Sequence, residues 1–298
     1  MITRRHVGLL VALTLMWGLN WPVMKYTLRA IEPLTFRAVT MGGGVLVLAA
    51  WLGLRGQPLG LPRAALRPVA LLTLPNIVGW HLGSIIGLTQ LGAGRAAILA
   101  FTMPVWTMLL GALLFAQPLA RRAWAASAFA LAAVALLAAQ ELTTLAGRPL
   151  GVLWLQGAAA SWALGTLLMR RIAVPLTSEA LTLWMMALGT LVFAALALAL
   201  EPAPQPAAWG AGTWVALAWG IVVNFGIAQM LWFALARELP PQASTFSLMS
   251  VPLVGVVSSA LALGDAPRGT DWAAALCIAL AIASATGLAL RRSDNARR

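Results

Sequence analysis

Acidic side chains are scarce in this sequence. Eight Asp and Glu stand among 298 residues, with a single cysteine, a single tyrosine and two histidines. Each scarcity removes a class of function. Cys277 has no second cysteine to pair with, so neither a disulfide framework nor a cysteine metal site can form. The acids Glu32, Glu141, Glu179, Glu201, Glu238, Asp265, Asp271 and Asp294 all fall in expected loops or at helix ends, with no paired carboxylates. No Gly-Lys-Ser/Thr loop is present to cradle a phosphate and no metal-binding cluster occurs. The expectation is therefore no enzyme, no cofactor, no metal and no ATP-driven pump within this chain.

What is abundant is apolar. Hydrophobic residues make up 61% and charged residues 9%, with a mean hydropathy of +0.88, whereas soluble domains carry roughly 25% charged residues. A spanning helix needs about 20 mostly apolar residues. Uncharged windows long enough run Val7–Met24, Ala38–Leu54, Pro68–Gly94, Ala96–Ala120, Ala123–Gln140, Pro149–Met169, Ala180–Leu200, Pro202–Ala236, Leu239–Gly264 and Trp272–Leu290. They predict an all-α membrane protein with ten transmembrane helices. Pro202, Pro204 and Pro206 turn the start of the eighth window into a loop, so helix 8 is expected to begin near Thr213.

The net charge of +12 follows from the positive-inside rule rather than from nucleic-acid binding. With the N-terminus cytoplasmic, Arg4, Arg5, Arg55, Arg63, Arg67, Arg121, Arg122, Arg170, Arg171, Arg237, Arg291, Arg292, Arg297 and Arg298 face the cytoplasm. Only Lys25, Arg29, Arg37, Arg95, Arg148 and Arg268 fall on the other side. Both termini are expected in the cytoplasm, and the first apolar run, lacking a small-residue cleavage site, reads as a retained helix.

The chain repeats itself. A shift of 148 residues lays Asn76 on Asn224, His81 on Gln229, Pro104 on Pro252 and Trp124 on Trp272. The same shift lays Ala96-Ala97 on Ser244-Thr245. Trp17 falls on Trp162, and Pro33-Leu34-Thr35 on Pro175-Leu176-Thr177, at slightly smaller shifts. Five helices per copy is an odd number, so the second copy enters the membrane in the opposite sense. The expected organisation is two inverted five-helix repeats, residues 1–145 and 146–298, with a site near the midplane that rocking exposes to either side.

The stretch L-M-W-G-L-N-W-P-V-M-K, Leu15 to Lys25, places polar groups where lipid is expected, and Pro22 should loosen its helix. Trp17, Asn20, Trp21, Trp80 and Trp162 are candidate cavity residues, with Asn76, His81, Gln229 and Ser244 supplying polar contacts. Five residues separate Asn76 from His81, which leaves them apart around a helix of about 3.6 residues per turn, so one of them can instead bridge helices. A wall of indole faces with a few amides and hydroxyls suits an amphipathic or aromatic solute or a cation held over a ring. Because Gln229 cannot titrate, a symmetric proton relay with His81 is disfavoured, and facilitated diffusion is expected. Lys25 and Arg37 near helix ends either snorkel toward water or line an outer mouth that attracts an anion. Gly79, Gly83 and Gly87 form a ridge for tight helix packing. Pro104 and Pro252 are candidate hinges. Trp232, with seven other tryptophans near helix ends, reads as part of the interfacial aromatic belt.

The pattern W-G-x-N-W-x-x-x-K from Trp17 to Lys25, followed by Pro33 and Arg37, resembles the opening signature of the EamA branch of the drug/metabolite transporter superfamily. Within that branch the chain most resembles the YddG-like bacterial exporters of aromatic amino acids. The family's small residue plus Glu at the end of helices 4 and 9 appears here as Ala116-Gln117 and Gly264-Asp265. The resemblance implies a cavity lined by helices 1 to 4 and 6 to 9, with helices 5 and 10 peripheral. It implies an exporter of amino acids in the bacterial inner membrane that works by alternating access, as a monomer or weak homodimer whose other partners are its solute and the bilayer. Another metabolite or multidrug exporter is the alternative within transport, and a membrane enzyme or scaffold the alternative outside it.

Overall fold

The computed structural model describes residues 4–118, 121–143, 148–238 and 241–295, and among these every regular element is helical. The helices are α1 Arg4–Thr27, α2 Pro33–Leu54, α3 Arg63–Gln90, α4 Ala93–Phe115, α5 Arg121–Thr143, α6 Pro149–Met169 and α7 Ser178–Leu200. After them come α8, residues 211–238, then α9 Pro241–Leu263 and α10 Gly269–Asn295. Seven of the described helices, α1 to α4 and α6 to α8, are long and apolar enough to cross a membrane. The stretches Trp124–Gln140, Ser250–Leu263 and Gly269–Ser284 are shorter apolar helices. Leu46, Leu113, Leu198 and Leu261 stand 73–86% exposed, an arrangement that suits a lipid solvent and not water.

Three helices are irregular. In α3 the segment Leu74–Gly79 is a π-helix, and in α8 so is Trp219–Ile227. π turns inside α-helices are rare and frequently occur at functional sites. The two segments contain Asn76 and Asn224, the pair that the 148-residue shift superposes. In α4 the helix stops at Ala100, turns through Phe101 and Thr102, and restarts at Met103 with Pro104 in its first turn. α1 is helical through Pro22, and α9 is helical through Pro252.

Packing follows the small residues. α3 lies on α6 because Gly83 and Gly87 leave no side chain between them; a Cβ on Gly83 would stand 2.7 Å from the Trp154 carbonyl. α2 lies on the π segment of α8 where Gly43 and Gly44 meet Ile221 and Phe225. α1 packs along α9, with Gly18 against Val254. α5 and α10 pack on each other, and Leu131 and Leu276 remain exposed on them.

Helix ends are satisfied by specific groups. Glu201, just beyond α7, accepts the backbone N–H of Leu34 at 2.7 Å and of Thr35 at 2.8 Å, together with the Thr35 hydroxyl. These are donors that the start of α2 otherwise leaves unpaired. The α7 N-terminus is capped by its own Thr177, whose Oγ1 accepts from the Ala180 N–H.

Candidate functional site

α3, α6 and α8 bring a run of rings together in the interior. Trp162 of α6 lies 5.4 Å from Trp80 of α3 between centroids. Trp80 lies 6.5 Å from His81, and His81 lies 5.5 Å from Phe225 in the π segment of α8. All three contacts are tilted or edge-on, the geometry that ring quadrupoles favour. A second pair, Trp17 of α1 and Trp232 of α8, lies 5.6 Å apart. The cross-half logic is the same in both places, since the first helix of each half meets the third helix of the other. Trp232, expected at the interface, meets the Trp17 ring at a tilt of 48°.

Beside the ring run lies Arg37, five residues into α2. It is 3% exposed, so it lines no mouth and does not snorkel. α2 continues for four more turns beyond it and α3 covers it: the guanidinium Nη2 donates a long 3.4 Å bond to the Ser84 hydroxyl, which in turn donates to the His81 carbonyl. Lys25 has a different fate. Its Nζ donates to the carbonyls of Leu88 and Thr89 at 2.7 and 3.1 Å, binding the C-terminal end of α3 where the helix leaves its last carbonyls free. The anion-attracting reading of Lys25 gives way to a structural one.

The remaining candidates separate cleanly. Asn76 donates to the Leu72 carbonyl and its side chain fills the space left by Gly165 of α6, so it joins helices while His81 meets α8. Asn20 is buried and its Oδ1 has no partner. Trp21 is buried in the core against Gly255 of α9. Gln229 is half-buried on α8, and the side chain of Ser244 lies outside the described residues. Four buried polar atoms among the described residues have no hydrogen-bond partner: Asn20 Oδ1, Arg37 Nε, His81 Nδ1 and Trp219 Nε1. Such atoms are costly to bury.

The depth of Trp219 in its apolar window was legible in the sequence, and its indole Nε1 is buried. Sequence reasoning missed one participant. Gln156 of α6 sits at the break in α4; its Oε1 accepts from the Trp106 indole at 3.0 Å and the Thr102 hydroxyl, and its Nε2 donates to the Leu99 carbonyl. A lone amide in an otherwise apolar span was the available signal.

A cavity of about 350 Å³ lies elsewhere, bounded by Arg95, Asp265, Arg268 and Asp271. Arg95 pairs with Asp271 at 2.8 Å, and Asp271 also accepts the Arg268 backbone N–H. That cluster joins the start of α4 to the start of α10 and reads as a structural clamp. No group of three or more His, Cys, Asp or Glu able to hold a metal occurs among the described residues.

The sequence profile of the EamA-like transporter family matches residues 5–139 and again residues 149–287. The chain belongs to the EamA-like transporter family. Its relatives include the uncharacterized inner membrane transporter YedA of Escherichia coli, 27% identical over 94% of this chain and 90% of that one. The uncharacterized protein PA1977 of Pseudomonas aeruginosa is 31% identical over 97% and 98%, and the uncharacterized transporter YvbV of Bacillus subtilis is 27% identical over 88% and 85%. A solved crystal structure covers 95% of the chain and 98% of its own with a TM-score of 0.67 at 21% identity, which speaks to the fold alone.

Proposed function

We propose that this EamA-like transporter exports amino acids, aromatic ones among them, across the inner membrane. Ten spans in two inverted copies, residues 1–145 and 146–298, rock about a site near the midplane, with both termini cytoplasmic. Export is facilitated diffusion by alternating access, and the protein works as a monomer or weak homodimer. The observation that carries the reading is the interior ring run Trp162–Trp80–His81–Phe225, drawn from α6, α3 and α8. Both copies contribute to it, and aromatic faces with few polar groups suit a solute with an aromatic side chain and a polar head. The placement of basic residues supports the orientation, and the inner-membrane setting is supported by the relative YedA.

The test is efflux from proteoliposomes loaded with labelled amino acids, other metabolites and cationic dyes. Aromatic amino acids should leave fastest, down their gradient, and an imposed pH gradient alone should accumulate none of them. Accumulation driven by that gradient would end the facilitated-diffusion reading, and transport of dyes without amino acids would move the protein to the multidrug alternative. Trp80→Ala should lower aromatic efflux by about tenfold, a loss matching roughly one well-placed ring contact with its buried area.

A further inference from the structure

We propose that Arg37 is the anchor for a carboxylate on the transported solute. The inference rests on the transport reading above and names the chemistry of one end of the ligand.

Arg37 and Lys25 are the two cations that the sequence places inside the first two helices, and the structure treats them in opposite ways. Lys25 Nζ donates to two carbonyl oxygens. Arg37 is buried to 3% exposure, carries a charge it does not lose, and has one long bond from Nη2 to Ser84, while its Nε has no partner. Two described acids are engaged elsewhere: Glu201 holds the start of α2, and Asp271 holds Arg95. A buried, uncompensated charge costs several kcal/mol, and inside a membrane bundle such a residue marks a solute or ion path by default.

The neighbouring unpaired atoms share the same complementarity. Trp219 Nε1 is buried without an acceptor. Trp219 adjoins Gly220, which packs on Thr40, about one turn along α2 from Arg37. A guanidinium and an indole N–H only donate, and a carboxylate only accepts, so an anionic solute head satisfies both sets at once. His81 lies one turn from Ser84 on α3 and joins this anchor to the ring run, so a solute held at Arg37 by its carboxylate finds aromatic surface beside it.

The experiment is equilibrium binding by isothermal titration to the full-length chain in detergent micelles. The probes are L-phenylalanine, 3-phenylpropionate and L-phenylalaninamide, together with L-leucine, chloride and phosphate. Wild type should bind phenylalanine and phenylpropionate, and bind phenylalaninamide at least about 30-fold more weakly, the loss expected when a buried charge is left without its partner. Arg37→Gln should erase the preference for acid over amide, and Arg37→Lys should restore part of it. Equal binding of acid and amide by wild type overturns the proposal, and that comparison needs no variant to fold. Discrimination that survives Arg37→Gln overturns it too. If leucine binds with the Arg37 dependence and phenylalanine does not, the anchor stands and the aromatic preference falls. If no carboxylate binds, both fall. If only chloride or phosphate binds, the residue serves a free inorganic anion and the proposal fails.

Discussion

α4 and α9 carry the same proline at the same register, and only one of them breaks. Pro104 follows a turn at Phe101–Thr102 that divides α4, whereas α9 runs from Pro241 to Leu263 straight through Pro252. A proline removes one donor and crowds the carbonyl four residues back, and this is common to both. The surroundings differ. At the break in α4, the Leu99 carbonyl receives the Thr102 hydroxyl and the Gln156 amide, and Gln156 also takes the Trp106 indole N–H. α6 supplies that amide to α4; α1, which packs on α9, carries Gly8, Leu9, Leu10 and Val11 in the corresponding stretch, with no amide among them. The proline permits a break, and a replacement partner inside the bundle decides whether the break is held. Without water in the bilayer core, that partner has to come from protein.

The largest effect that tests this contrast is Gln156→Leu. It removes the Trp106 and Leu99 hydrogen bonds of Gln156 and leaves the Trp106 N–H without an acceptor, so stability should fall by about 2 kcal/mol. Unfolding of the purified protein in a detergent titration would read the change, and near-wild-type stability would show that the break in α4 needs no staple.

The break also shows where the sequence stops speaking. Helix positions were legible because charges and prolines bound the apolar windows: α2 begins at Pro33, α6 at Pro149, and α8 starts at Ala211, two residues before the expected Thr213. The glycine ridge on α3 was legible because small residues at intervals of four serve close packing, and Gly83 does meet α6. Arg37 was misplaced for a physical reason. Five residues from a helix start suggests a surface when the neighbours are unknown, but α3 covers that turn of α2 and turns a mouth residue into a buried one. The π turns were illegible because their extra residue per turn is set by what packs on them. Gln156 was overlooked because its role exists only once α4 is broken beside it.

A smaller difference separates the ends of the same two helices. Both close on a residue in the left-handed region, Ala116 at φ 50° and Gly264 at φ 72°, mates under the 148-residue shift. In α4 the Gln117 N–H then returns to the Gly111 carbonyl at 3.1 Å. That conformation crowds a Cβ and costs a non-glycine residue roughly 1–2 kcal/mol, so the small residue at this point of the family pattern has a backbone cause. Ala116→Gly should raise stability by about 1 kcal/mol, and Gly264→Ala should lower it by about as much. The same detergent titration reads both. Equal and opposite shifts would confirm that the two ends are one device, while a loss on Ala116→Gly would show that the helix gains more from alanine than its end loses.

The smallest expected effect concerns the mismatch between the halves at the site itself. His81 of α3 has Gln229 of α8 as its mate, and its Nδ1 is buried without a partner while its ring touches Trp80 and Phe225. Were the histidine a proton carrier, its loss would abolish coupling; as a hydrogen-bonding wall residue, an amide of similar reach can replace it. His81→Gln makes the first half match the second at this position, and efflux of aromatic amino acids from proteoliposomes should stay within about twofold of wild type between pH 6 and pH 8, the range over which an ordinary histidine changes charge. His81→Ala, which removes both the ring contact and the polar atom, should lower it further than His81→Gln. A large loss on His81→Gln, greatest at pH 6 and shrinking as pH rises, would mean that a protonated imidazole takes part in transport and that the two halves differ in chemistry as well as in backbone.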